Sequence, residues 1–180
     1  MKSFLFIFIL MLGTITLNAQ MRYVPGDTVK GKNATYYCVK LLPKRVVRVR
    51  NIQNKDTLST TYIRNGEKVS GDYIPDSKYA FKHEDFVQIL KGVLTPQELE
   101  LIKNGKDNLG IEFTVDKTGN AREITFVIRY SDPVFSRIEP DKLHELEVKL
   151  KQLLKIELGQ QDREISNLKY WISVDYRNDL

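Results

Sequence analysis

The spacing of hydrophobic positions changes along the chain, and each change marks an element. Tyr and Val dominate residues 34–42, and the pattern resumes over 44–52 after Pro43, predicting two strands. Residues 57–64 and 68–74 flank Asn65-Gly66, a pair suited to a tight turn because both residues tolerate positive φ. They predict a hairpin that Pro75 ends. Phe86, Ile89, Leu90 and Val93 then recur at helical spacing, predicting a helix over 84–94. Thr95-Pro96-Gln97-Glu98 is a capping-box start for a second helix, with Leu99, Leu101 and Ile102 on its apolar side and Gly105 after it.

Period two returns strongly beyond residue 110. Ile111, Phe113 and Val115 alternate with Glu112, Thr114 and Asp116. After the turn Lys117-Thr118-Gly119-Asn120, Ile124, Phe126, Ile128 and Tyr130 alternate with Glu123, Thr125, Val127 and Arg129, predicting a hairpin with one core face and one wet face. Pro140 and Asp141 open a long helix with Leu143, Leu146, Leu150, Leu153 and Leu154 on one face. A closing strand over 168–176 sets Leu168, Tyr170, Ile172, Val174 and Tyr176 against Trp171, Ser173 and Asp175. The expected fold is α+β: a small antiparallel sheet packed by a long amphipathic helix in the order β-β-α-β, preceded by short antiparallel strands and two helices. The expected division is 20–80 for the lead-in and first strands and 81–180 for the α+β domain.

The first nineteen residues stand apart. Lys2 is a positive n-region, residues 4–17 form an uncharged apolar run, and Leu17-Asn18-Ala19 precedes Gln20 with a small residue before the cut. This is the pattern of a cleavable signal peptide, too short to span a bilayer, which takes about 20 apolar residues. It predicts a periplasmic or secreted protein beginning near Gln20. The remaining chain, about 160 residues, is long enough to bury roughly 70% of its unfolded surface in one core.

Charge and chemistry refine this picture without supplying a reaction. The formal net charge is +5, with both signs interleaved, which is a poor pattern for nucleic-acid binding. Cys38 is the single cysteine, so no intramolecular disulfide forms; its place in a strand-like Tyr-Tyr-Cys-Val run predicts a buried thiol. Two histidines are present. His83 lies at a helix start beside Glu84 and Asp85. His144 and Glu147 stand at i, i+3 and could ligate one metal ion, but they have no partner cluster, so a solvated helix face is expected and no metal or cofactor is. The chain has no Gly-x-Ser-x-Gly elbow, no His-Glu-x-x-His and no phosphate-cradling loop. Lys44, Arg48 and Arg50 share one face of a strand whose other face carries Val47 and Val49. They form either a basic patch for anionic lipids or glycans or the charge-guarded face of an edge strand. Asp27-Thr28-Val29 and Asp56-Thr57-Leu58 are similar to bacterial O-glycosylation acceptors, and Asn33-Ala34-Thr35 fits the N-glycosylation sequon.

The segment Ile111-Glu112-Phe113-Thr114-Val115-Asp116-Lys117-Thr118-Gly119-Asn120, the alternation after it and the closing Trp171-Ile172-Ser173-Val174-Asp175-Tyr176 resemble the C-terminal domain of TonB-type energy transducers. The resemblance covers residues 108–177, under half of the chain. It implies a domain that accepts an extended peptide at an exposed sheet edge. The membrane anchor and Pro-rich linker of such transducers have no counterpart here, since the six prolines are scattered.

These patterns predict an exported, non-catalytic interaction protein of the bacterial periplasm or cell surface that binds a protein or peptide through a sheet edge. Trp171, Ser173 and Asp175 are the expected partner-binding residues, because an aromatic residue opposite the core face suits an anchor. The competing place for Trp171 is against the N-terminal strands. The competing function is a small exported hydrolase or ligand-binding enzyme, which a deep pocket of convergent polar groups would mark.

Overall fold

The computed structural model describes residues 21–41, 45–55, 63–69, 73–175 and 180. The signal-peptide pattern, Lys44, the Asp56-Thr57-Leu58 triplet, Tyr176 and the outer parts of the hairpin around Asn65 fall outside these residues.

The main sheet has six strands in the order β1-β2-β3-β8-β7-β11, every neighbouring pair antiparallel. The strands are β1 (Thr28–Lys30), β2 (Thr35–Leu41), β3 (Val46–Asn51), β7 (Leu109–Val115), β8 (Ala121–Arg129) and β11 (Lys169–Val174). Two small sheets flank it. One pairs β10 (Ile165–Ser166) with β4 (Ile63–Arg64) and β5 (Glu67–Lys68); the other pairs β6 (Lys78–Tyr79) with β9 (Ile156–Glu157). The β4–β5 turn places Asn65 at φ 51° and Gly66 at φ 85°, the two positive values that favoured this pair in the sequence.

Among the described residues three helices cover one face: α1 (His83–Val93), α2 (Pro96–Lys103) and α3 (Pro140–Leu153). The Thr95 side chain accepts from the Glu98 amide while Glu98 reaches back to the Thr95 amide, and Pro96 stands in the first turn, so α2 starts where its capping box predicts. Leu143, Leu146 and Leu150 of α3 are buried with Ile124, Phe126 and Ile128 of β8, Val47 and Val49 of β3, and Tyr36 and Cys38 of β2 in one hydrophobic cluster. Buried Phe86, Leu90 and Val93 bring α1 into the same cluster.

The mixed α+β class is as expected, but the sheet is larger than predicted and differently composed. Val47 pairs with Ile128 and Val49 with Phe126, so β3 joins the C-terminal hairpin, and the expected boundary near residue 80 runs through one continuous sheet. This pairing also makes β3 an interior strand, so Arg48 and Arg50 do not guard an edge. The hairpin face expected to be wet is not: Thr114, Thr125 and Val127 are buried. Glu147, expected on a solvated helix face, is completely buried against the sheet. It lies on the stripe of Leu143, Leu146 and Leu150, and the strands it meets supply polar partners.

Candidate functional site

On the sheet face away from the helices, side chains from five strands stand in rows. One row runs Tyr37, Arg50, Thr125, Glu112, Trp171 across β2, β3, β8, β7 and β11. Adjacent strands lie about 4.8 Å apart, which separates the two aromatic ends by roughly 19 Å. Tyr37 is 37% and Trp171 47% exposed. Between them Arg48 reaches across β8 to Glu112 at 2.5 Å. Both partners are partly exposed, so the pair does more to fix their positions than to stabilise the fold. It also pairs one of the three cations of the expected basic patch, Arg48, with an acid. On the same face Arg50 donates to the Asn54 carbonyl at 3.1 Å, and the exposed Arg129 is held by Asp107 at 3.4 Å.

Gly110 decides where Trp171 lies. A Cβ on residue 110 would stand 2.6 Å from the Trp171 Cη2 atom and 2.9 Å from Cζ2, with the Val127 Cβ at 3.1 Å. The indole therefore lies flat across β7, resting where only glycine leaves room. It forms one wall of a groove of about 180 Å³, with Leu41, Val46 and Val127 as the other apolar lining. Asn108, Arg129 and Ser173 supply the polar end. Asn108 Oδ1 is buried there and accepts no hydrogen bond, and the hydroxyls of buried Thr114 and Thr125 on the same face are likewise without partners. Buried polar groups are normally satisfied, so each is an unused bonding position. Leu41 and Val46 belong to the N-terminal strands, so the indole and those strands line the same groove.

Ser173 stands opposite Gly110 on the same face and is exposed; Asp175 follows the end of β11. The outer edge of β11 is partly occupied, since the Tyr79 hydroxyl donates to the Trp171 carbonyl at 2.9 Å. Tyr79 is held in turn by edge-on contacts with Phe81 and Tyr170, at 5.5 and 6.2 Å between ring centroids.

The cluster with the most catalytic look is around Glu147. Its carboxylate accepts from the Tyr36 hydroxyl at 2.7 Å, from Asn51 Nδ2 at 3.2 Å and from Lys151 Nζ at 2.6 Å, and His144 Nδ1 lies 3.8 Å away. Burial, and then the neighbouring Glu147 charge, push the Tyr36 phenol far above its ordinary pKa, so it stays a donor. With every strong donor aimed at it and no exposure, Glu147 joins α3 to β2 and β3 rather than facing a substrate. No group of three or more histidine, cysteine, aspartate or glutamate side chains that could hold a metal occurs among the described residues. His83 is exposed at the first turn of α1. Cys38 is buried, and desolvation, with Asp27 adding to it, pushes its thiol up to about 12.

No protein-family model matches the chain, and no curated protein does. The crystal structure of a DUF5043 family protein from Bacteroides uniformis ATCC 8492 is similar at a TM-score of 0.71. It covers 91% of this chain and 92% of that chain at 18% identity. A likeness at that identity shows the fold. A match over nine-tenths of the chain takes in the N-terminal strands as well as the hairpin, α3 and β11, and it replaces the expected TonB-type resemblance. The hairpin alternation that suggested TonB belongs to the middle of a six-stranded sheet, where many antiparallel folds produce it.

Gly110 was missed in the sequence, and Glu147 was placed on the wrong side of its helix. Gly110 directly precedes the alternating run and could have been read as a place of close approach within a strand. Glu147 follows Leu143 by four residues, which puts it on the buried stripe of the helix.

Proposed function

We propose that the protein is an exported, non-catalytic binding module of the bacterial periplasm or cell surface. It takes a protein or peptide partner on the β11 side of its sheet, with Trp171 as the anchor. Export rests on the signal-peptide pattern of residues 1–19, and N-terminal sequencing of protein from the native cell envelope should begin at Gln20. The observation that carries the binding reading is the half-exposed indole held over Gly110 beside an apolar groove with an unused acceptor, Asn108 Oδ1, at its end. A large aromatic residue at the rim of a desolvated groove is the usual form of a binding hot spot. The groove's 180 Å³ is below the ~300–1,000 Å³ of small-molecule pockets, which favours one inserted side chain of a partner over a free ligand.

Trp171 is the single tryptophan of the chain, so its fluorescence reports on this site alone. Peptides selected from a displayed random library on the full mature chain should blue-shift or quench its emission. Trp171→Ala should weaken them more than tenfold while far-ultraviolet circular dichroism stays unchanged. An empty selection, or equal binding to both proteins, would overturn the reading.

A further inference from the structure

A cavity of about 590 Å³ lies at the opposite end of β7 and shares no residue with the Trp171 groove. Three cations from three separate segments line it: Lys117 from the β7–β8 turn, Lys155 from the end of α3, and Arg163 from the 3-10 turn Asp162–Glu164. No carboxylate of the described residues pairs with any of them, and Glu157 is the one acid in the lining. Three positive charges against one negative leave an excess of two among the lining residues. The buried side chains of Ile156 and Leu158 complete the cavity, giving it an apolar part next to the charged one.

The backbone that carries these cations is fixed. Asp116 Oδ1 accepts from the Thr118 amide at 2.8 Å, the Thr118 hydroxyl at 2.6 Å and the Asn120 amide at 3.1 Å. Burial opposes ionisation of Asp116, but these bonds and nearby Arg122 outweigh it and hold its pKa below the ordinary value. Gly119, at φ 82°, abuts the Ile156 carbonyl so closely that no side chain fits, and the Ile156 amide donates to the Gly119 carbonyl at 2.8 Å. That locks Lys117 beside Lys155. Arg163 is fixed from the other side, because buried Asp162 next to it accepts from Tyr73 and Ser77. Arg22, Arg129 and Lys149, by contrast, each have an acidic partner. Here rigid turns hold like charges together without one.

We propose that this cavity is a second binding site, for a ligand presenting a dianionic phosphate-monoester group. The group would match the charge excess and accept the bidentate bonds that a guanidinium makes to phosphate. The Thr118 hydroxyl is already engaged with Asp116 and with Asn120 Nδ2 at 2.7 Å, so the site binds without supplying a nucleophile. This inference stands independently of the Trp171 reading.

The test titrates the mature chain at neutral pH with inorganic phosphate and glycerol 3-phosphate. In parallel it uses phosphatidylcholine vesicles with and without phosphatidic acid, and amide chemical shifts map the site. Saturable binding is expected, with shifts confined to residues 117–119, 155–158 and 163, and with affinity falling as salt rises. Lys117→Gln, Lys155→Gln and Arg163→Gln should each weaken it severalfold, and the triple variant should abolish it with circular dichroism unchanged, since all three residues are exposed. Binding in the soluble arm assigns a small phosphate ester. Binding only to phosphatidic acid vesicles, lost in the triple variant, assigns a lipid headgroup. No saturation in either arm at tens of millimolar phosphate, or binding that survives the triple variant, would overturn the proposal.

Discussion

Tyr36 of β2 and Glu147 of α3 meet inside the core through a 2.7 Å hydrogen bond, and neither side chain reaches solvent. The carboxylate collects donors from two strands and from its own helix, so it binds α3 to the sheet at a point where leucines alone would leave the orientation loose. Glu147→Ala leaves Tyr36, Asn51 and Lys151 without an acceptor and is expected to cost about 3 kcal/mol, as broken buried pairs do. Tyr36→Phe removes one donor of three and should cost about 1 kcal/mol. Urea unfolding of the two variants checks the order; a Glu147→Ala cost no larger than that of Tyr36→Phe would remove the cluster from the stability of the fold.

Gly110→Ala should displace the indole. The new methyl would stand 2.6 Å from Trp171 Cη2 and 3.1 Å from the Val127 Cβ, so the ring must lift off the sheet. Overpacking of this kind typically costs about 1–3 kcal/mol. The emission of the single tryptophan should move to longer wavelength as the ring becomes more exposed. Selected peptides should bind Gly110→Ala as poorly as Trp171→Ala. Unchanged emission would mean that the close approach is not kept in solution.

Stability should fall in alkali sooner than an ordinary chain of this composition would. Burial raises the pKa values of Cys38, Tyr36 and Tyr23 in the folded protein, Cys38 from 9.0 to about 12. The unfolded chain therefore releases these protons first. Their contribution is complete below pH 9 for Cys38 and below pH 10.0 for the two tyrosines, and it is lost as pH rises beyond those values. Each group adds a slope of about 1.4 kcal/mol per pH unit in the affected range. Urea midpoints across that range should drop steeply, and Tyr36→Phe should make the slope shallower by one group. A flat profile would show that these side chains reach solvent in the folded state.

The elements that were legible in the sequence are those whose signals are local. Thr95, Pro96 and Glu98 mark the start of α2 within four residues, and the alternation of Ile111 to Val115 with Ile124 to Ile128 fixes both the hairpin and its core face. Trp171 is legible as outward-facing because Tyr170, Ile172 and Val174 keep strict period two around it. The pairing of β3 with β8 was not legible, because the partners lie almost eighty residues apart. Alternating Val and Arg reads the same on an interior strand as on an edge. Arg48 could not be assigned to Glu112 without that register, and Glu147 looked solvated because its polar partners lie on two distant strands. The groove depends on all of these at once, since Leu41 and Val46 come from one half of the chain and Gly110, Val127 and Trp171 from the other.

Tyr79→Phe separates a partner seated on the sheet face from one that extends the sheet edge. The substitution keeps the aromatic contacts with Phe81 and Tyr170 and removes only the hydroxyl that donates to the Trp171 carbonyl. Tyr79 is half exposed, so water can replace the lost bond and the stability cost should stay under about 1 kcal/mol. A strand added along β11 would need that carbonyl and would have to displace the hydroxyl from it. Such a partner should therefore bind Tyr79→Phe severalfold more tightly than the parent. A partner whose side chain enters the groove meets the indole, Val127 and Leu41, none of which the substitution touches. The occupied carbonyl favours the face, and peptide affinity is expected to be unchanged within about twofold, less than 0.5 kcal/mol. Markedly tighter binding to Tyr79→Phe would move the partner from the groove to the edge of β11.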